Sequence, residues 1–305
     1  MNRSPAKPLT MLLATTALAP LAWGTTYSVT TEFLPHHRPL LAGALRALPA
    51  GLVLLSFTRV LPRGAWWWRS AVLGTLNIGA FFALLFLAAG RLHGGVAAAL
   101  GAIQPLIASG LAAVVLKERL RKQVVIAGVL GVVGVTMIVL QPGARLDALG
   151  VAAGVGGAAS MACGVTLTKR WKPNVPLLAF TSWQLTIGGV LLLPASLIIE
   201  GQPPHLTGRN VMGFAWLAAV GTALAYSLWF RGIGRLPIAN VTLLALFSPI
   251  VAVTIGYAFL GQHLGPFQIA GIAVVLGALW TGQRQRLLPT SPASGDRTPA
   301  AARSS

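Results

Sequence analysis

Apolar residues fall along this chain in blocks of about 20, the length an α-helix needs to cross the hydrocarbon of a bilayer. Ten blocks predict ten helices, at residues 9–30, 39–58, 70–89, 94–116, 123–141, 148–168, 177–199, 210–230, 237–260 and 266–283. The uncharged run from Leu236 to Gln283 is too long for one crossing. It divides at Gly261-Gln262-His263-Leu264-Gly265-Pro266, where glycine ends one helix and proline fits the first turn of the next. The first block follows Arg3 and Lys7 as a secretory leader would. It is longer than a leader's apolar core and no convincing cleavage site follows it, so it is expected to stay as a helix.

Composition changes the picture only by naming the solvent. Charged residues are 9% of 305 and hydrophobic ones 55%, with a mean hydropathy of +0.75, whereas soluble domains carry roughly 25% charged residues. The expected fold class is an all-α membrane protein in contact with the lipid bilayer. A net charge of +18 does not mark a nucleic-acid binder, because such a protein gathers its basic residues in one patch or stripe. Here they form short clusters between the apolar blocks, the pattern that sets membrane topology. Eighteen of the 23 Lys and Arg fall on one predicted side, four (Arg38, Arg91, Arg145 and Arg209) on the other, and Arg46 lies within a span. Positive residues stay cytoplasmic, so both termini are expected inside. Residues 1–8 then form a cytoplasmic N-terminus, and 284–305 a cytoplasmic tail whose Ser/Pro/Ala composition predicts disorder. Cys163 is the sole cysteine, which excludes a disulfide framework and a cysteine-rich metal site. The five histidines match no metal-ligand spacing, and no cofactor is expected.

A repeat decides the architecture. Residues 86–128 recur at 230–271, an offset of 144 positions: Gly90-Arg91-Leu92 falls on Gly234-Arg235-Leu236, Pro105 on Pro249, Leu116 on Leu260 and Leu120 on Leu264. The chain therefore reads as a first five-helix repeat at 9–141 and a second at 148–283. Five is odd, so the second repeat must enter the membrane upside down. Inverted repeats are a construction of secondary transporters, because two halves that exchange conformations give outward-open and inward-open states of similar energy.

At this point the chain resembles the EamA family of the drug/metabolite transporter superfamily. The resemblance rests on Ala22-Trp23-Gly24 in the first span, Arg46 in the second, and Pro105 followed by Leu116-Lys117-Glu118-Arg119-Leu120 at the end of the fourth. The second repeat carries degraded counterparts in Ala162-Cys163-Gly164, Gln184, and Pro249 followed by Leu260-Gly261-Gln262-His263-Leu264. The resemblance implies a bacterial inner-membrane carrier, often an exporter of amino acids, related metabolites or toxic compounds. Members usually carry Glu where Gln262 stands.

Arg46 is the one ionisable side chain placed well inside a span. A charge there costs at least ~2.5 kcal/mol on insertion scales, which marks a site by default, and its planar fork suits a carboxylate or phosphate. Capping of backbone carbonyls is the competing role. The first span sets Trp23, Thr26, Tyr27 and Thr30 on one face, and the eighth does the same with Thr222, Tyr226 and Trp229. With Asn77, Gln104 and Ser248 they outline a polar cavity with aromatic walls, although each alone serves equally as glue between helices. The candidate substrate-binding residues are thus Trp23, Tyr27, Arg46, Asn77, Gln104, Tyr226 and Trp229. Pro105 and Pro249, near the middles of spans four and nine, are candidate hinges. Glu118 is expected to pair with its neighbours Lys117, Arg119, Arg121 and Lys122.

Gly154-Val155-Gly156-Gly157-Ala158-Ala159 imitates a dinucleotide fingerprint inside a span and reads instead, with Gly128, Gly131 and Gly134, as close-packing faces. Trp66-Trp67-Trp68 reads as an interfacial anchor. With so few acids and no clustered His or Cys, the chain is read as no enzyme but as a carrier of a small-molecule substrate. The alternatives are an exchanger of phosphorylated or nucleotide-linked sugars and a non-transporting helper subunit. The oligomeric state stays open, a homodimer included. The topology predicts that cysteines placed near His36, Asp147 and His205 are labelled from outside the cell while those near Arg63, Lys122 and Lys172 are not; outside labelling at Lys122 overturns it.

Overall fold

The computed structural model describes residues 6–35, 38–92, 100–139, 147–172, 174–259 and 265–283, and all secondary structure within them is helical. Hydrocarbon offers backbone amides no partner, so a chain this apolar must satisfy them within each helix. In order, the elements are α1 (Ala6–Gly24 and Thr26–Phe33), α2 (Pro39–Thr58), α3 (Trp66–Gly74, a π-helical turn Thr75–Gly79, then Ala80–Arg91) and α4 (Gln104–Leu116). They continue with α5 (Lys122–Val139), α6 (Ala148–Trp171), α7 (Leu177–Ile199) and α8 (Gly208–Ala218, a π-helical turn Ala219–Leu224, then Ala225–Arg235). Last come α9 (Ile238–Leu244 and Phe247–Phe259) and α10 (Pro266–Gln283). Among the described residues nine helices are long and apolar enough to cross a membrane, and Gln104–Leu116 is a shorter apolar one. Residues 94–99 of the predicted fourth span and the break at 261–264 lie outside the described residues.

Packing is dominated by pairs that join a helix of the first half to one of the second: α2 on α7, α5 on α10, α3 on α6, α4 on α6, α1 on α8 and on α9, and α4 on α9. Adding five to every label, counted round ten, returns the same set. Glycines make the closest approaches. A Cβ at Gly51 would stand 2.5 Å from the amide nitrogen of Thr186, and one at Gly189 would stand 2.6 Å from the Cα of Leu48. Those two contacts fix α2 and α7 as antiparallel. Gly134 likewise meets Val275 while Gly271 meets Ile138, so α5 and α10 are antiparallel too. The glycine faces read from sequence are packing faces: Gly128 lies on Leu106, Gly131 on Leu246 and Gly154 on Leu100, and Gly150 adds a contact with Leu92.

Helix ends sharpen the sequence reading. At the basic end, α2, α4 and α6 all stop at a left-handed basic residue: Arg59 (φ 51°), Lys117 (φ 55°) and Lys172 (φ 39°). At the opposite end, the Glu200 carboxylate at the close of α7 accepts from the amides of Leu40 (2.6 Å) and Leu41 (2.9 Å), capping the start of α2. The tryptophan triplet divides. Trp67 and Trp68 are exposed, whereas Trp66 turns inward onto Phe180 and Trp183, with ring centroids at 6.1 and 6.2 Å.

Pro105 and Pro249 each stand at a local interruption of helical hydrogen bonding, Pro249 about midway along the span Ile238–Phe259. Each lies in the first turn of a helical segment that follows a break, at 102–103 and at 245–246. Proline has no N–H to give and its ring crowds the carbonyl four residues back, so the first turn is where it costs least.

Gly189→Ala is expected to lower the thermal midpoint in detergent, because backbone atoms of α2 cannot swing aside; overpacking of this kind typically costs about 1–3 kcal/mol. Gly277→Ala, with nothing within 4 Å of its Cβ, should leave the midpoint unchanged or raise it.

Candidate functional site

Both π-helical turns hold polar clusters, and they begin at Thr75 and Ala219, 144 residues apart, the offset of the sequence repeat. A π turn adds a residue to the helical repeat and realigns backbone groups toward a neighbour.

In α8 that neighbour is Arg46. Its side chain enters from α2, is 5% exposed, and donates from Nε to the Thr222 hydroxyl (3.0 Å) and from Nη2 to the Gly221 carbonyl (2.9 Å). The guanidinium carbon lies 4.9 Å from the centroid of the Phe82 ring. Trp23 on α1 donates its indole N–H to the same Gly221 carbonyl at 3.0 Å, so both lone pairs of that oxygen meet side-chain donors. Trp23 also packs on Tyr226 (5.2 Å between centroids) and on Trp229 (5.0 Å). Tyr226 and Trp229 are fully buried, and the Trp229 indole N–H has no hydrogen-bond partner among the described residues. Among those residues, the ion pairs are Arg91–Asp147, Lys169–Glu118 and Arg209–Glu32. Arg46 is in none of them. A buried cation is thus held by neutral acceptors and π faces only.

The second cluster surrounds Asn77, in the π turn of α3. Its Nδ2 donates to the Gln184 side-chain oxygen (2.7 Å) and to the Thr168 hydroxyl (3.3 Å), and Ser160 donates to the Leu76 carbonyl (2.9 Å). Gly164 lies so close that any Cβ there would overlap Asn77. The register that sets Gly51 on Thr186 and Leu48 on Gly189 places Arg46 opposite residue 191, seven positions from Gln184. At 1.5 Å per residue the two clusters sit about 10 Å apart along the α2–α7 pair.

The structure therefore brings together Trp23, Arg46, Tyr226 and Trp229, and sets Asn77 apart with Gln184. Gln104, at the start of α4, is buried with its Nε2 unpartnered among the described residues, and it bonds to neither cluster. The Tyr27 side chain lies outside the described residues, as do His36, His37, His93 and His263. Sequence reasoning missed Gly221, Phe82 and Thr168. The repeat held one clue, since Gly221 stands 144 positions after Asn77. A groove of about 400 Å³ runs along the same π turn, lined by Pro49, Val53, Ala219, Ala223 and Ser227. Its lining is almost wholly apolar and Val53 is half exposed, so it is a lipid-facing surface and not a polar chamber.

Glu118 corrects its expected pairing. Lys117 turns left-handed at the end of α4, and the Glu118 carboxylate meets Lys169 of α6 at 2.5 Å instead of its sequence neighbours.

A family model described as "EamA-like transporter family" matches this chain twice, over residues 9–140 and 148–281. Protein PecM of Dickeya dadantii is 43% identical over 263 residues, 86% of this chain and 88% of that protein. A probable amino-acid metabolite efflux pump of Salmonella typhimurium is 26% identical over 86% of this chain and 91% of its own length. A solved crystal structure has the same fold, with a TM-score of 0.80 at 17% identity, covering 91% of this chain and 99% of its own. The chain is a multi-pass membrane protein and belongs to the EamA-like transporter family. That family is one of membrane transporters and not of enzymes.

Thr222→Val is expected to lower stability by about 1.5–3 kcal/mol, the worth of a hydrogen bond to a charged group, while Thr222→Ser should recover most of it. Thermal unfolding in detergent reads both.

Proposed function

We propose that this protein is a secondary transporter of the bacterial inner membrane that exports amino acids or related small metabolites by alternating access. Ten crossings form two inverted five-helix repeats, at 9–141 and 148–283, with both termini in the cytoplasm. The antiparallel pairing of α2 with α7 and of α5 with α10, and a set of helix contacts that maps onto itself when the repeats are exchanged, support the inversion. The distribution of Lys and Arg supports the orientation. PecM and the probable efflux pump support an exporter.

One observation carries the substrate class. Arg46 is a buried cation with no acidic partner among the described residues, set beside aromatic rings and an unpartnered indole N–H. Uncompensated charge in a low-dielectric interior favours a bound anion. A carboxylate fits the free edge of one planar guanidinium. A single buried arginine favours a monoanion over phosphorylated or nucleotide-linked sugars, whose phosphates call for several cations. The aromatic walls of Trp23, Tyr226 and Trp229 enclose the rest of the solute, and Gln104 and Tyr27 remain candidate contacts by sequence. Asn77 belongs to the inversion-related cluster and holds the opposite half. The breaks ahead of Pro105 and Pro249 are the hinges.

Counterflow in proteoliposomes tests this reading. Arg46→Lys keeps the charge but loses the planar fork, and losing a hydrogen-bonded charge pair typically costs about 2–5 kcal/mol of binding. Transport of an amino acid should fall by at least tenfold, and transport of its amide by much less, each measured per folded molecule. If Arg46→Ala leaves the acid/amide preference untouched, Arg46 is not in the binding site.

A further inference from the structure

The closed end of the bundle carries a knot that the substrate site does not use. The Lys169 ammonium meets the Glu118 carboxylate at 2.5 Å and the Leu236 carbonyl at 2.5 Å. The other carboxylate oxygen of Glu118 accepts the amide of Ile238 at 3.2 Å. Two side chains thus join three elements: the end of α4, the last turn of α6, and the turn at 236–238 between α8 and α9. The first belongs to one repeat and the other two to the second. The side chains are only 16% and 24% exposed, so solvent screens this pair far less than a surface ion pair. Lys117 holds a left-handed conformation that most residues avoid, and this turns Glu118 back toward α6. Arg170 adds a bond from α6 to the Val115 carbonyl of α4 at 3.3 Å.

The opposite end has no such pair of residues in its sequence. Carrying Glu118 forward by the 144-residue offset gives Gln262, and carrying Lys169 back by the 140 residues that separate Ala162-Cys163-Gly164 from Ala22-Trp23-Gly24 gives Val29. Among the described residues the ion pairs at that end, Arg91–Asp147 and Arg209–Glu32, are about half exposed and therefore screened, so the shielded Glu118–Lys169 pair makes the two closed states unequal. We infer that Glu118 and Lys169 form an ionic gate at the basic end of the bundle, closed in this structure, which sets the resting state facing the opposite side. The gate opens when α4 and the α8–α9 turn separate, and each transport cycle must break it once. This rests on the alternating-access reading above.

Zero-length carbodiimide coupling on the unmodified chain gives the first test, since it joins only an acid and an amine already in contact. Mass spectrometry should find a Glu118–Lys169 amide in substrate-free protein, and its formation should abolish counterflow. Alkylation from the cytoplasmic face gives the second, on a Cys163→Ser background with a reporter cysteine in place of Ser109, nine residues deeper in α4. Lys169→Met and Glu118→Gln should each raise the labelling rate at least tenfold without substrate, while Lys169→Arg should leave it near the starting rate. Absence of the cross-link, or equal rates in all three variants, overturns the gate. Detection of the cross-link and the labelling rates need no transport. Gate variants that fail these tests while counterflow persists leave the transporter reading intact, and a normal gate without counterflow of any solute does the reverse.

Discussion

Every interruption of a helix inside a membrane leaves backbone groups that lipid cannot satisfy, and this constraint organises the molecule. Among the described residues the helices are interrupted within their spans at five places: Thr25, the π turns at 75–79 and 219–224, and the breaks at 102–103 and 245–246. The π turns are met by side chains from other helices. Arg46 and Trp23 converge on the Gly221 carbonyl, and Asn77 spans from its own turn to Gln184 and Thr168. Polar residues are therefore concentrated where regular helix fails.

The two clusters are built on one plan with different chemistry. Arg46 and Gln184 each stand seven residues into their helix, α2 beginning at Pro39 and α7 at Leu177. Each reaches a π turn of the opposite repeat. Gln184 accepts a neutral hydrogen bond from Asn77 and donates to the Phe180 carbonyl, so that this cluster carries no charge. Arg46 brings a full charge to a carbonyl and a hydroxyl, which orient it without neutralising it. Duplication supplied the frame, and divergence at one pair of positions left a single half with unmet charge.

Small residues let that frame close. Backbones at Gly51, Gly189, Gly134 and Gly271 meet their neighbours closer than any Cβ permits, so the α2–α7 and α5–α10 pairs form tight antiparallel seams. Lipid tails are as apolar as leucine, and helices in a bilayer gain from contact mainly through packing of this kind.

The sequence by itself determined the solvent, the family resemblance and the repeat, since 55% hydrophobic residues and the recurrence of 86–128 at 230–271 are local facts that need no folding to read. It also singled out Arg46, because one charge in an apolar block is visible without knowing its neighbours. Tertiary structure alone decided what Arg46 touches, since its partners at 221 and 222 are 175 and 176 residues away and include a backbone carbonyl whose availability depends on a π turn. It moved Asn77 out of the arginine cluster, located the helix interruptions beside both prolines, and gave Glu118 to Lys169. Helical periodicity ranks residues along one face of one helix. Which faces meet is set by the packing of glycine seams between repeats, and no single span records that.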